Sequence, residues 1–167
     1  MERVLIIGCP GAGKSTLGRL LADKTGLPLV HLDALFWLPG WKERDKSEFD
    51  ALVLAELGKP KWIMDGNYGR TLSTRLKYCD TVIFLDYGRF TCLWGVLKRV
   101  FIHRGDVRPD MGEGCPERFD WAFLKYVWSF SKTNRDKLLS RIQAASGFVT
   151  CVILKNRREG AKFLESL

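Results

Sequence analysis

The chain has no apolar run approaching the roughly 20 residues that cross a bilayer, and its N-terminus enters a strand-like run almost at once instead of a charged and then apolar leader. Membrane insertion is therefore not expected, and a cytoplasmic protein is. The five cysteines (Cys9, Cys79, Cys92, Cys115 and Cys151) are scattered with no C-x-x-C pair, which argues against a disulfide framework and for a reducing compartment. Cys115 and His103 have no near partners at the paired spacings that a structural zinc site needs. No internal repeat, low-complexity linker, helix-turn-helix or zinc-finger pattern is present. The 167 residues, 46% of them hydrophobic, suit one domain spanning 1–167 with a buried core.

Charge is not scarce. Twenty-seven Lys and Arg stand against 19 Asp and Glu, a net +8. Such an excess serves either a nucleic-acid surface or a set of cations gathered around phosphorylated ligands. It is dense at Lys98, Arg99, His103, Arg104 and Arg108, with a second group at Lys155, Arg157 and Arg158. The first group runs into a Gly- and Pro-rich segment suited to a mobile lid, which favours substrate phosphate over duplex DNA. A plainly solvated basic face is the alternative for any one of these residues, and DNA contact stays open without a motif to support it.

What the sequence does contain is Gly8-Cys9-Pro10-Gly11-Ala12-Gly13-Lys14-Ser15, which fits G-x-x-x-x-G-K-[ST] directly after the apolar run Val4–Ile7. Glycines there let backbone N–H groups approach a phosphate chain closely at a helix N-terminus. Gly8, Pro10, Gly11, Ala12 and Gly13 form the expected loop. Lys14 is placed to reach the β- and γ-phosphates, Ser15 to offer a hydroxyl to Mg²⁺, and Thr16 to meet the α-phosphate.

Val-, Ile- and Leu-rich runs alternate with helical segments, the pattern of βαβ units and a parallel sheet. Strands are expected near 2–7, 28–32, 61–65, 81–86 and 148–155. Helices are expected near 14–25, 46–58, 71–78, 88–103, 117–145 and 158–166, with 117–145 breaking near Ser131. Two segments interrupt the alternation. Residues 35–41, aromatic and punctuated by Pro-Gly, are expected to form one wall of a pocket. Residues 104–116, with three glycines and two prolines, suit a charged lid that excludes water and delivers cations as it closes.

Phosphoryl transfer asks a protein mainly to position reactants and neutralise charge, so carboxylates at strand ends and arginines on movable pieces are the residues to seek. Asp33, at the end of the second strand, either orients or deprotonates an acceptor hydroxyl, holds a Mg²⁺-bound water, or caps the following segment. Asp65 either reaches Mg²⁺ through water or is the turn residue of an Asp-Gly pair. Arg70 and Arg75 follow as alternatives for binding an acceptor. Arg99, Arg104 and Arg108 are suited to fork onto phosphate oxygens from the lid, with Arg118 and Arg135 behind them. Trp37 and Trp41 either stack on a planar substrate or pack. Trp121 and Trp128, with Phe123, Leu124, Val127 and Phe130, read as the core face of a helix. Asn156 and Arg157 either border a purine base or form a plain turn.

Taken together, the phosphate loop, His31-Leu32-Asp33 with its Pro-Gly-Trp segment, Trp62–Tyr68, Asp80–Asp86 and Arg108–Pro116 resemble bacterial proteins of the DNA topology modulation family, members of the adenylate-kinase-like P-loop kinases. That resemblance implies a three-layer α/β/α fold with a five-stranded parallel sheet in the order 2-3-1-4-5. It further implies an acceptor-binding region at about 34–60 and a mobile lid at about 104–116. It implies an ATP- and Mg²⁺-dependent kinase acting on a small acceptor, either a nucleotide, a nucleoside or a hydroxylated metabolite; the alternative is a DNA-associated regulatory protein that uses the phosphate loop as a nucleotide switch. By similarity to adenylate and shikimate kinases, Lys14 and Ser15 contact phosphate and Mg²⁺, and Asp33 and Asp65 are the strand-end carboxylates. Arg99 and Arg108 match lid arginines, Arg70 matches loosely an acceptor arginine, and Arg135 is similar to the acceptor-contacting arginine of shikimate kinases.

Overall fold

The computed structural model describes residues 1–145 and 147–167. Val4–Ile7, Trp62–Met64 and Val82–Leu85 are uninterrupted apolar runs, and all are buried, as strands of a parallel sheet covered on both faces must be. They form β1 (Arg3–Gly8), β5 (Trp62–Asp65) and β6 (Thr81–Leu85), joined at the edges by β2 (Leu29–His31) and β7 (Thr150–Leu154). All four pairings are parallel and the spatial order is β2-β5-β1-β6-β7. Counting only the strands of this sheet, that is the expected 2-3-1-4-5.

Helix α1 (Lys14–Thr25) packs on β1, β2 and β5, with α8 (Arg157–Glu165) beside it against β7. The other layer holds α3 (Lys46–Leu57), α4 (Gly69–Tyr78), α7 (Arg135–Ala145), α6 (Trp121–Thr133) and α5 (Arg89–Ile102), each touching the next in that series. Helix α3 starts where the Asp45 carboxylate accepts from the Ser47 and Glu48 N–H groups, and α8 starts where Asn156 accepts from Glu159. These are ordinary N-caps, so Asn156 takes the turn role. All five cysteines are free. Among the described residues no helix is long and apolar enough to cross a membrane.

Two local expectations need correction, the start of the helix in 117–145 and the burial of its tryptophans. The segment 117–145 starts its helix at Trp121, because Asp120 caps it by accepting from Phe123 N–H, and the expected break into two helices falls at Asn134, three residues past Ser131. Residues 35–41 wall a pocket as expected, Trp37 and Trp41 lining it. A single turn, α2 (Leu32–Phe36), runs into an antiparallel hairpin of β3 (Trp37–Leu38) and β4 (Lys42–Glu43), turned by Gly40 and Trp41, both at positive φ. On α6, Val127 and Phe130 are buried as expected, but Trp121 and Trp128 are exposed.

Candidate active site

The sheet places the C-terminal ends of β1, β2 and β5 side by side, the edge at which open α/β sheets bind ligands. A cleft of about 1190 Å³ opens there, lined by Pro10, Gly11, Ala12, Gly13, Lys14, Ser15 and Thr16. Nine lysines and arginines and five carboxylates border it, so much of the chain's positive excess lies in this one concavity.

The loop between β1 and α1 is fixed from beneath. Gly11 has φ 81°, and a Cβ there would stand 2.1 Å from the Cys92 carbonyl oxygen of α5, so only glycine lets loop and helix meet this closely. Gly8 does not border the cleft. Its N–H donates to Asn67 Oδ1 at 3.1 Å and its carbonyl accepts from Asn67 Nδ2 at 2.8 Å. Lys14 Nζ donates to the Gly8 and Cys9 carbonyls at 3.0 and 3.2 Å. Burial draws its ammonium below the ordinary lysine range, opposed by the charges of Asp65 and Asp33.

Parallel pairing of β2 with β5 sets His31 opposite Asp65, and His31 Nδ1 lies 2.8 Å from Asp65 Oδ1. Burial disfavours the imidazolium, but the Asp65 hydrogen bond and charge outweigh it, and the His31 pKa is raised. Asp65 is buried at the strand end and is not an exposed turn residue. Asp33 sits inside α2, whose N-cap is His31, so it does not cap. Its carboxylate accepts from the Tyr68 hydroxyl at 2.6 Å. Burial, with the negative charge of Asp65, raises the Asp33 pKa against the opposing Tyr68 hydrogen bond and Lys14 charge.

Tyr68 was not legible as a site residue, nor was Asn67. Both lie in the turn after β5, where Tyr68 takes φ 26°, a sparsely populated conformation for a residue with a side chain. Arg75 holds that turn. Fully buried, it donates to the carbonyls of Gly66 at 2.9 Å and Tyr68 at 3.0 Å, and to Thr71 Oγ1 at 3.1 Å. Burial lowers its pKa to about 10. The expectation that Arg75 binds an acceptor is corrected: its guanidinium is spent on the backbone that aims Asn67 and Tyr68.

The segment 104–116, the expected lid, lies docked on the β3–β4 hairpin. Trp41 Nε1 donates to the Pro116 carbonyl at 3.0 Å, Gly40 N–H to Gly114 at 2.9 Å and Cys115 Sγ to Leu38 at 3.2 Å. A Cβ on Gly112 would fall 2.0 Å from the Trp37 carbonyl oxygen, so lid and hairpin interlock. Arg99 and Arg108 both border the cleft and share buried Glu117, at 3.1 and 2.7 Å. Arg108 also pairs with Asp110 at 2.6 Å. Asp110 is itself buried. Burial works to raise its pKa, but the Arg108 charge and a hydrogen bond with the Ser15 side chain outweigh it and lower it. Trp37 and Trp41 border the cleft and meet edge to face at 5.5 Å, with the Arg118 guanidinium over Trp41 at 5.1 Å.

Beyond Arg75, three sequence-selected arginines are not brought to the cleft: Arg70, Arg104 and Arg135. Arg70 is exposed and paired with Asp50 of α3, its Nη2 also donating to the Lys46 carbonyl at 3.2 Å. Arg135 forks onto Asp86, both bonds at 2.7 Å. Lys137 and Arg141, from the same helix as Arg135, border the cleft instead, with Arg141 Nη1 donating to the Gly69 carbonyl at 2.7 Å. A helical period counted from Asn134 would have found them: Asn134, Lys137, Leu138 and Arg141 lie at steps of three, one and three and all four line the cleft. Arg157 also borders it, beside Tyr87 and Gly160.

With this geometry in place, comparison with known proteins is informative. No family model matches the chain. A shikimate kinase of Corynebacterium glutamicum is 42% identical over 57 residues, which is 34% of this chain and 30% of that protein. A shikimate kinase of Pseudomonas savastanoi pv. phaseolicola is 32% identical over 112 residues, 53% of this chain and 64% of that protein. The match thus spans less than two thirds of either relative. A solved shikimate kinase from Acinetobacter baumannii, in complex with shikimate, superposes with a TM-score of 0.60 at 17% identity, covering 99% of this chain and 90% of that one. The chain has the P-loop kinase fold. None of these comparisons concerns DNA topology.

Proposed function

We propose that this protein is an ATP- and Mg²⁺-dependent kinase that transfers the γ-phosphoryl group to a hydroxyl of a small, anionic acceptor. The observation that carries the reading is the meeting, in one cleft, of the Lys14–Ser15 phosphate loop with buried Asp65 at the end of β5 and half-buried Asp33 of α2, beneath a lid bearing Arg108. Partial similarity to shikimate kinases supports the same reaction class.

The loop's backbone N–H groups and the α1 N-terminus hold the phosphates, and Lys14 neutralises charge on the transferring group. A serine hydroxyl and a buried carboxylate are hard oxygen donors of the kind Mg²⁺ takes, so Ser15 and Asp65 fit that ion, with His31 fixing the Asp65 carboxylate. Bound there, Mg²⁺ would supply charge neutralisation on the phosphate oxygens. Asp33 orients the acceptor hydroxyl and takes its proton, a role that its raised pKa suits. Tyr68 holds Asp33 in place through its hydroxyl. The guanidiniums of Arg99 and Arg108 supply further positive charge from the lid side, and Lys137 with Arg141 meets an anionic group of the acceptor.

The alternative of a DNA-associated nucleotide switch draws less support, because nine of the lysines and arginines border the concave cleft that holds the phosphate loop. The test is ADP formation from Mg·ATP across nucleoside monophosphates, nucleosides, and hydroxylated carboxylic and phosphorylated metabolites, with Lys14→Ala as the blank. Stimulation by one anionic hydroxyl compound is expected. ATP binding without stimulation by any acceptor would sink the kinase reading.

A further inference from the structure

Helices α5 and α6 are apolar on two faces. Their inner faces carry Cys92, Val96, Val127 and Phe130 into the core. On the outer face of α5, Phe90, Trp94, Leu97 and Phe101 follow one another at steps of four, three and four residues, which aligns them in one stripe. They are 73, 64, 41 and 87% exposed. On α6, Trp121, Lys125, Trp128 and Lys132 repeat the same spacing, and all four are exposed. The helices run antiparallel: Phe90 meets Trp128 edge to face at 5.7 Å, and Arg99 lies over Phe123 at 5.5 Å. The stripes therefore adjoin, and Arg89 stacks over Trp128 at 5.1 Å.

The charge on this face has one sign. Neither Arg89–Ile102 nor Trp121–Thr133 contains an Asp or Glu, whereas Arg89, Lys125, Lys132 and Lys98, the last also bordering the cleft, lie within them; Arg99 turns instead to the cleft and Glu117. A folded chain gains nothing by leaving such a patch in water. A second copy is a poor occupant, since lysine is depleted from protein interface cores and two copies would set like charges together. Duplex DNA offers phosphates but no apolar phase for Phe101 and Trp121. An anionic bilayer surface offers both: headgroup phosphates for the cations, and the acyl boundary for interfacial aromatics.

We propose that the α5–α6 face docks this protein peripherally on anionic phospholipid surfaces, with Phe90, Trp94, Phe101 and Trp121 as the inserted side chains. The docked helix is also the one whose inner face backs the phosphate loop at Gly11.

The test is flotation of the purified protein with vesicles of phosphatidylcholine alone and of phosphatidylcholine mixed with phosphatidylglycerol. Binding is expected only to the mixed vesicles, with release at high salt. The double variants Trp94→Ala/Phe101→Ala and Lys125→Glu/Lys132→Glu should each lower the bound fraction at least about fivefold without changing ATP turnover. Brominated lipid should quench wild-type tryptophan fluorescence, a readout that needs no variant to fold. Failure to bind anionic vesicles or to be quenched would overturn the proposal. So would a wild-type dimer that Trp94→Ala/Phe101→Ala splits, or salt-dependent binding to duplex DNA, where vesicles leave the protein unbound.

Discussion

The phosphate loop and the acceptor-side arginines were both picked from short sequence patterns, yet only the loop stands where its pattern implied. The loop's geometry is set within eight residues and the strand and helix that flank them, so glycine conformations and a helix N-terminus suffice to fix it. An arginine six or seven bonds long answers instead to whichever carboxylate the fold brings near. Asp50 claims Arg70 and Asp86 claims Arg135, whereas Arg99 and Arg108 are held at the cleft by buried Glu117. Local motifs place backbone; long-range pairing places side-chain charge.

That contrast can be broken first at the loop. Lys14→Ala should lower kcat at least about 10³-fold with the far-ultraviolet circular dichroism spectrum unchanged. On the lid side, Glu117→Gln leaves two cations without their shared buried carboxylate, and denaturant titration should show a loss of about 3 kcal/mol. A change no larger than a surface pair would mean that Glu117 does not anchor the lid.

Asp33→Asn should cost roughly 10²-fold in kcat while ATP affinity, read by calorimetry, stays put. The pH dependence sharpens this. Asp33 acts deprotonated and its pKa is raised, so kcat/KM should fall on acidification at a pH above the ordinary carboxylate range. Because the Tyr68 hydrogen bond lowers that pKa, Tyr68→Phe should move the acidic limb to still higher pH.

Arg141→Ala should raise the acceptor KM about tenfold, the worth of one charge-assisted hydrogen bond, whereas Arg70→Ala should leave KM alone and shift stability by under about 1 kcal/mol. Equal KM effects would return Arg70 to the site. The smallest effect concerns His31, whose folded pKa is raised above its unfolded value near 6.5. Its pairing with Asp65 contributes stability fully below that value and loses it as pH rises through the folded pKa. His31→Asn should flatten that part of the stability profile.

Much of the sheet was legible because its strands are nearly unbroken apolar runs with strand-end carboxylates attached. The order of those strands came from resemblance, since no local pattern carries it. Asp33 and Asp65 were visible as strand-end carboxylates, but their partners Tyr68 and His31 were not, because the pairing joins residues 35 and 34 apart. Arg75 was misleading for a physical reason: a buried arginine that ties down a strained turn has the same sequence signature as one that awaits a ligand. Trp121 and Trp128 misled in the opposite direction, since an apolar helix stripe looks the same whether it meets a core or another surface.

The most direct measurement is a single-turnover reaction with ATP labelled by ¹⁸O in its γ-phosphoryl group, followed by mass spectrometry of every phosphate-bearing species. The expected result is label on a hydroxyl of an anionic small molecule, lost in Lys14→Ala and slowed in Asp33→Asn. Label found in inorganic phosphate alone, at a rate unmoved by any acceptor, would contradict phosphoryl transfer by this cleft.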